Sequence, residues 1–96
     1  ETDTAENGLE ALRLLESGMY DVVITDAVMP GMTGFELCER VRKSYPQIRV
    51  IGMTGAVNVH DFEKAGAHAC FYKPVPFREL HKAIERLCRE NSPAAM

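Results

Sequence analysis

Two hydrophobic rhythms alternate along this chain. In one, apolar side chains return every three or four positions, the spacing that lines one face of a helix. In the other they run on with almost no polar break, as in a strand covered on both faces. The first helical rhythm, Leu9, Leu12 and Leu15, starts behind Asn7, a capping residue with Glu10 three positions on, and stops at Gly18. Residues 21–26, Asp-Val-Val-Ile-Thr-Asp, predict a strand rich in β-branched side chains. After a breaker loop at residues 28–32, Thr33 and Glu36 stand at capping-box spacing, and Phe35, Cys38, Val41 and Tyr45 recur at helical intervals until Pro46. Residues 48–54 predict a second strand, 58–65 a shorter helix closed by Gly66, and 69–73 a third strand broken off by Pro74 and Pro76. Phe77, Leu80, Ile84, Leu87 and Cys88 form the stripe of a last helix. Residues 91–96 read as a frayed tail or the start of a linker.

Apolar strands separated by amphipathic helices predict a parallel sheet with helices on both faces, an α/β, doubly wound architecture. At 96 residues there is room for one domain. The net charge of -3 and pI of about 5.6 come with no basic stripe, which speaks against nucleic acid as a partner. No apolar run reaches the roughly 18 residues a membrane span needs, and the opening Glu1-Thr2-Asp3-Thr4 does not read as a signal peptide. Cys38, Cys70 and Cys88 are odd in number and far apart. That favours inert buried thiols in a reducing compartment over a disulfide frame or a zinc site, and the cytoplasm is the expected location. His60, His68 and His81 lack metal-ligand spacing and are expected at the surface.

Each strand run ends in a polar residue: Asp26, Thr54 and Lys73. In a parallel sheet these are the carboxyl ends, gathered on the edge where open α/β folds bind ligands. A carboxylate is a competent nucleophile toward phosphorus and gives an acyl phosphate. The phosphoryl oxygens then need charge-assisted donors, which Lys73 can supply as ammonium and Thr54 as hydroxyl. Any one of the three is uninformative. Together, at the ends of consecutive strands, they are specific.

With these residues in view, the chain resembles the receiver domain of two-component response regulators. The matching words are Asp21-Val22-Val23-Ile24-Thr25-Asp26, Met29-Pro30-Gly31-Met32-Thr33-Gly34-Phe35-Glu36-Leu37, Met53-Thr54, Gly66-Ala67 and Lys73-Pro74. The resemblance implies a flavodoxin-like sheet of strand order 2-1-3-4-5. It implies a non-enzymatic signalling domain that takes a phosphoryl group onto Asp26 from a sensor histidine kinase or phosphotransfer protein and relays it as a conformational change. Thr54 and Lys73 would contact that group, and the cofactor would be Mg²⁺, held partly by Asp26 and the main-chain carbonyl of Val28. The Lys73–Pro74 bond would be cis. An output domain or dimer partner would meet the face formed by residues 58–90, with neither nucleic acid nor membrane touched by this domain.

Departures from the family pattern set further expectations. The chain opens at what resembles the family's second strand, residues 2–5, without the first strand, its acidic Mg²⁺-binding pair or the first helix. Residues 1–90 are therefore expected to be an N-terminally incomplete receiver domain, with an exposed apolar edge that leaves it unstable alone or prone to dimerise. The stretch from Thr54 to Gly66 is about one helical turn short. Cys70 stands where the family has its switch aromatic, so a muted response in the 58–65 helix, or use of Tyr72 instead, is expected. A phosphohydrolase with an aspartate nucleophile would need a second Asp two residues on, where this chain has Val28. A pseudo-receiver, using the fold only for protein interaction, is the alternative reading.

Overall fold

The computed structural model describes residues 7–28, 31–55 and 59–90. The expected strand at residues 2–5, Met29 and Pro30 of the loop, the start of the 58–65 helix and the tail at 91–96 lie outside the described residues. In chain order the elements are α1 (Gly8–Ser17), β1 (Val22–Asp26), α2 (Gly34–Ser44), β2 (Arg49–Thr54), α3 (Val59–Ala65), β3 (Ala69–Tyr72) and α4 (Phe77–Glu90). Asn7 caps α1, its side chain accepting from the Glu10 N–H at 2.8 Å, and Thr33 caps α2 by accepting from the Glu36 N–H at 3.2 Å. Gly66, at φ +96°, takes the left-handed turn that ends α3, a conformation open to glycine at little steric cost.

The strands form a parallel sheet in the order β1-β2-β3, with Val23 beside Val50 and Gly52 beside Cys70. Because successive strand residues face opposite ways, the register sorts the core into two layers. Val23, Val50 and Cys70 face a cluster built from Leu15 of α1, Leu37, Cys38 and Val41 of α2, and Phe62 and Ala65 of α3. Val22, Ile51, Ala69 and Phe71 face Leu80, Ala83, Ile84 and Leu87 of α4. Among the described residues three helices cover one face and one covers the other. Ile24, on β1, which has β2 on one side and no described strand on the other, remains 39% exposed.

Two expected core positions are corrected. Leu9 is exposed, because α1 turns Gly8 and Leu15 inward instead; a Cβ on Gly8 would meet Met32 Sδ at 2.7 Å. Phe77 is 82% exposed, because α4 applies Ala83 and Leu87 to the sheet while the Phe77 ring, at the helix's first position, stacks on His81. Helical spacing alone could not choose between neighbouring faces.

The best-buried large side chain is one that periodicity did not single out. Phe62 is wholly buried, although α3 has seven residues and would be marginal alone. Its ring occupies a seat over Gly52, where an added Cβ would lie 2.5 Å from the ring. Gly52→Ala is therefore expected to cost about 1–3 kcal/mol through overpacking. A urea midpoint equal to that of the native chain would show that the seat is loose.

Candidate functional site

Asp26 is the last residue of β1, and its backbone is held from several sides. The Thr25 hydroxyl donates to the Asp26 carbonyl at 3.0 Å, and the next residue, Ala27, donates its N–H to the Met53 carbonyl at 2.9 Å. The Ala27 carbonyl in turn accepts from the Gly34 N–H at 3.0 Å, so the start of α2 is tied back to the end of β1. Gly34 lies so close to the Asp26 carbonyl that any Cβ there would collide with backbone. Thr25 and Gly34 were not expected as site residues. A polar residue inside an apolar run was the signal for Thr25; nothing in the spacing marked Gly34 beyond its place after a capping threonine.

Thr54 ends β2 and is 2% exposed. Its carbonyl accepts the Lys73 N–H at 2.8 Å, which fixes Lys73 just past the end of β3. The Lys73–Pro74 peptide is cis. From there the Lys73 ammonium reaches across β2 and forms an ion pair and hydrogen bond with Asp26 Oδ2. The Lys73 and Asp26 side chains are 44% and 35% exposed, so the pair is open to an incoming reactant rather than sealed in the core. Val28 follows as an exposed loop residue at 84%. Asp26, Thr54 and Lys73 thus share one edge of the sheet. A groove of about 130 Å³ along β1, lined by Ala11, Leu15, Tyr20, Val23 and Leu37 among others, includes none of the three.

This edge offers a carboxylate nucleophile with a cation beside it, the equipment for transferring a compact anionic group. It does not by itself compose a divalent-metal site: among the described residues no group of three or more His, Cys, Asp or Glu side chains converges, and the Asp26 carboxylate is engaged by Lys73.

The histidine expectation is corrected at one position. His60 and His81 are exposed beside Glu63 and Glu85, but His68 is half-buried and its Nδ1 accepts the Val50 N–H at 3.0 Å. It lies just before β3, one residue ahead of the first β2–β3 pair, Ile51 with Ala69.

A parallel α/β domain with a carboxylate and an ammonium paired on its carboxyl edge belongs to the class of open α/β domains that use this edge for ligands. Comparison with known proteins narrows it. The family model for the response regulator receiver domain matches residues 1–85, and the chain belongs to that family. It is 35% identical over 98 residues to the DNA-binding transcriptional regulator NtrC of Azospirillum brasilense, covering 99% of this chain and 20% of that protein. It is 33% identical to the chemotaxis protein CheY of Pseudomonas aeruginosa, covering 90% of this chain and 73% of that one. Among solved structures, the response regulator TrrA of Thermotoga maritima, in complex with Mg²⁺ and BeF, matches with a TM-score of 0.82 and 38% identity, over 91% of this chain and 76% of that one. The flavodoxin-like fold implied by the sequence is the fold of these neighbours.

Burial disfavours the thiolate at all three cysteines. Burial pushes the Cys38 thiol up to about 11 and also raises those of Cys70 and Cys88. A raised pKa leaves less thiolate at a given pH, so at pH 8 Cys38 should react at least ~100-fold more slowly with an aromatic disulfide reagent in the folded chain than in urea. Equal rates in both states would contradict its burial.

Proposed function

We propose that this domain is a phosphoacceptor: Asp26 takes a phosphoryl group from a phosphohistidine on a sensor histidine kinase or phosphotransfer protein and the fold relays the change. One Asp26 carboxylate oxygen attacks phosphorus as the P–N bond to the donor imidazole breaks, and the bonding pair returns to that ring. Lys73 holds its ammonium beside the attacking group, where it meets the charge that builds on the phosphoryl oxygens. Thr54, at the end of the neighbouring strand, supplies a hydroxyl to the same oxygens. The observation that carries this reading is the Lys73–Asp26 ion pair at the solvent-open carboxyl edge of the sheet.

Receiver domains generally bind Mg²⁺, which neutralises phosphoryl charge. Here Asp26 and the Val28 main-chain carbonyl would be this chain's ligands among the described residues, with the remaining coordination supplied from beyond them. The reading places the domain in the cytoplasm, where kinase and donor are found. An output domain or dimer partner would meet the 58–90 face, and residues 91–96 would serve as tail or linker. No helix among the described residues is long and apolar enough to cross a membrane.

Incubation with acetyl phosphate and Mg²⁺, borohydride trapping and mass spectrometry should place the label on Asp26 and remove it in Asp26→Asn. Undiminished labelling in Asp26→Asn would refute the assignment. A chain that takes no label at all would leave the pseudo-receiver reading.

A further inference from the structure

We propose that His68 is a pH-sensitive clasp on strand β3: the neutral imidazole holds the start of β3 to β2, and protonation releases it. The inference is independent of the phosphoacceptor reading and concerns the strand that leads into Lys73.

Val50 is wholly buried on β2, and both of its backbone polar groups are met by His68. The Val50 carbonyl accepts the His68 N–H at 2.8 Å, and the Val50 N–H donates to His68 Nδ1 at 3.0 Å. The first bond is ordinary ladder pairing. In the second, a side chain takes the place of the backbone carbonyl that a continued parallel ladder would offer. An accepting Nδ1 requires the neutral ring, with its proton on Nε2. A second proton would sit on Nδ1 and set donor against donor. The Val50 N–H, closed off from water, then loses that acceptor, and a buried donor left without one costs more than its bond contributed.

Strand β3 is poorly equipped to absorb this loss. It has four residues, none of them fully buried, and among the described strands it has only β2 beside it. Its ends are tied to β2 by the His68 pair at the start and by the Lys73 N–H on the Thr54 carbonyl at the finish. Opening the first tie loosens β3 from the end opposite the Lys73–Asp26 pair.

The groups around this corner do not rescue the imidazolium. From α2, the Arg42 side chain packs on Gly66, where an added Cβ would lie 3.2 Å from its Nε, so a second cation two residues on meets a like charge. Arg49 precedes Val50 on β2, and Lys64 stands in the last turn of α3. The carboxylate of Glu63, also on α3, is 64% exposed and already beside His60, which leaves it screened by water. Cys70 on β3 and Cys38 on α2 stay thiols, since burial pushes both upward. The other two histidines respond with the opposite sign. His60 and His81 stand beside Glu63 and Glu85, so a proton on either adds an attraction. The contribution of His68 is therefore fully present above the ordinary histidine range of about 6.5 and is lost as the pH falls below it.

The test uses the full chain, by NMR and by urea unfolding at about pH 7.5 and about pH 5.5, a range that histidine titration dominates. At the higher pH, long-range proton–nitrogen correlation of the imidazole should show the His68 proton on Nε2 and none on Nδ1. The urea midpoint should fall by at least ~0.5 M on going to the lower pH. His68→Gln, whose amide oxygen can accept the Val50 N–H, should abolish most of that fall, while His60→Gln and His81→Gln should keep it. The difference between the two pH values is the reading, so it holds even where a variant is weaker overall. An equal midpoint at both pH values in the native chain, a fall that persists unchanged in His68→Gln, or a proton on Nδ1 at the higher pH would overturn the clasp.

Discussion

An ammonium and a carboxylate 47 positions apart in sequence meet at the carboxyl edge of a parallel sheet, and most of this molecule can be understood as the means of bringing them there. Neither residue could hold the other through local structure. Lys73 reaches Asp26 because β2 lies between their strands in parallel register, because the Thr54 carbonyl fixes the Lys73 N–H, and because Ala27 is bonded across to Met53. Parallel pairing puts all three strand ends on one side, so their juxtaposition is a consequence of topology. The pair is half-open to water, which argues against a large contribution to stability. Its consequence is that a carboxylate and a cation are held side by side at the carboxyl edge of the sheet.

Glycine is what lets the layers come close enough. Gly34 admits the start of α2 onto the Asp26 carbonyl, and Gly52 admits Phe62 onto the sheet. At both positions a missing Cβ marks a contact between the site and a helix on the three-helix face. The same face holds the Phe35–Phe62 pair, so its packing joins the end of β1, the middle of β2 and α3 in one cluster. The opposite layer packs α4 against Ile51, Ala69 and Phe71.

Much of the architecture was legible from pattern. The uninterrupted apolar runs at 21–26 and 48–54 announced parallel strands, and Asn7 and Thr33 announced helix starts that the structure places where the caps require. Asp26, Thr54 and Lys73 stood out because each ended such a run, and the fold brings all three to one edge. Other features were illegible for physical reasons. Leu9 and Phe77 looked like core residues because a helical stripe about three residues wide does not reveal which flank meets the sheet. Phe62 was missed because a seven-residue helix is too short to display a period. His68 reads as a surface residue because its role, accepting the Val50 N–H, depends on a contact 18 positions away.

The central claim is that Lys73 is placed to serve the chemistry of Asp26. It is tested most directly by the rate at which acetyl phosphate and Mg²⁺ label Asp26 in Lys73→Ala and in the native chain, at matched circular dichroism. Loss of a fixed donor to developing negative charge costs on the order of 100-fold in comparable sites, so a fall of at least about 10-fold is expected. Labelling at the native rate in a folded Lys73→Ala chain would show that the ion pair is an incidental surface contact and that the edge works without it.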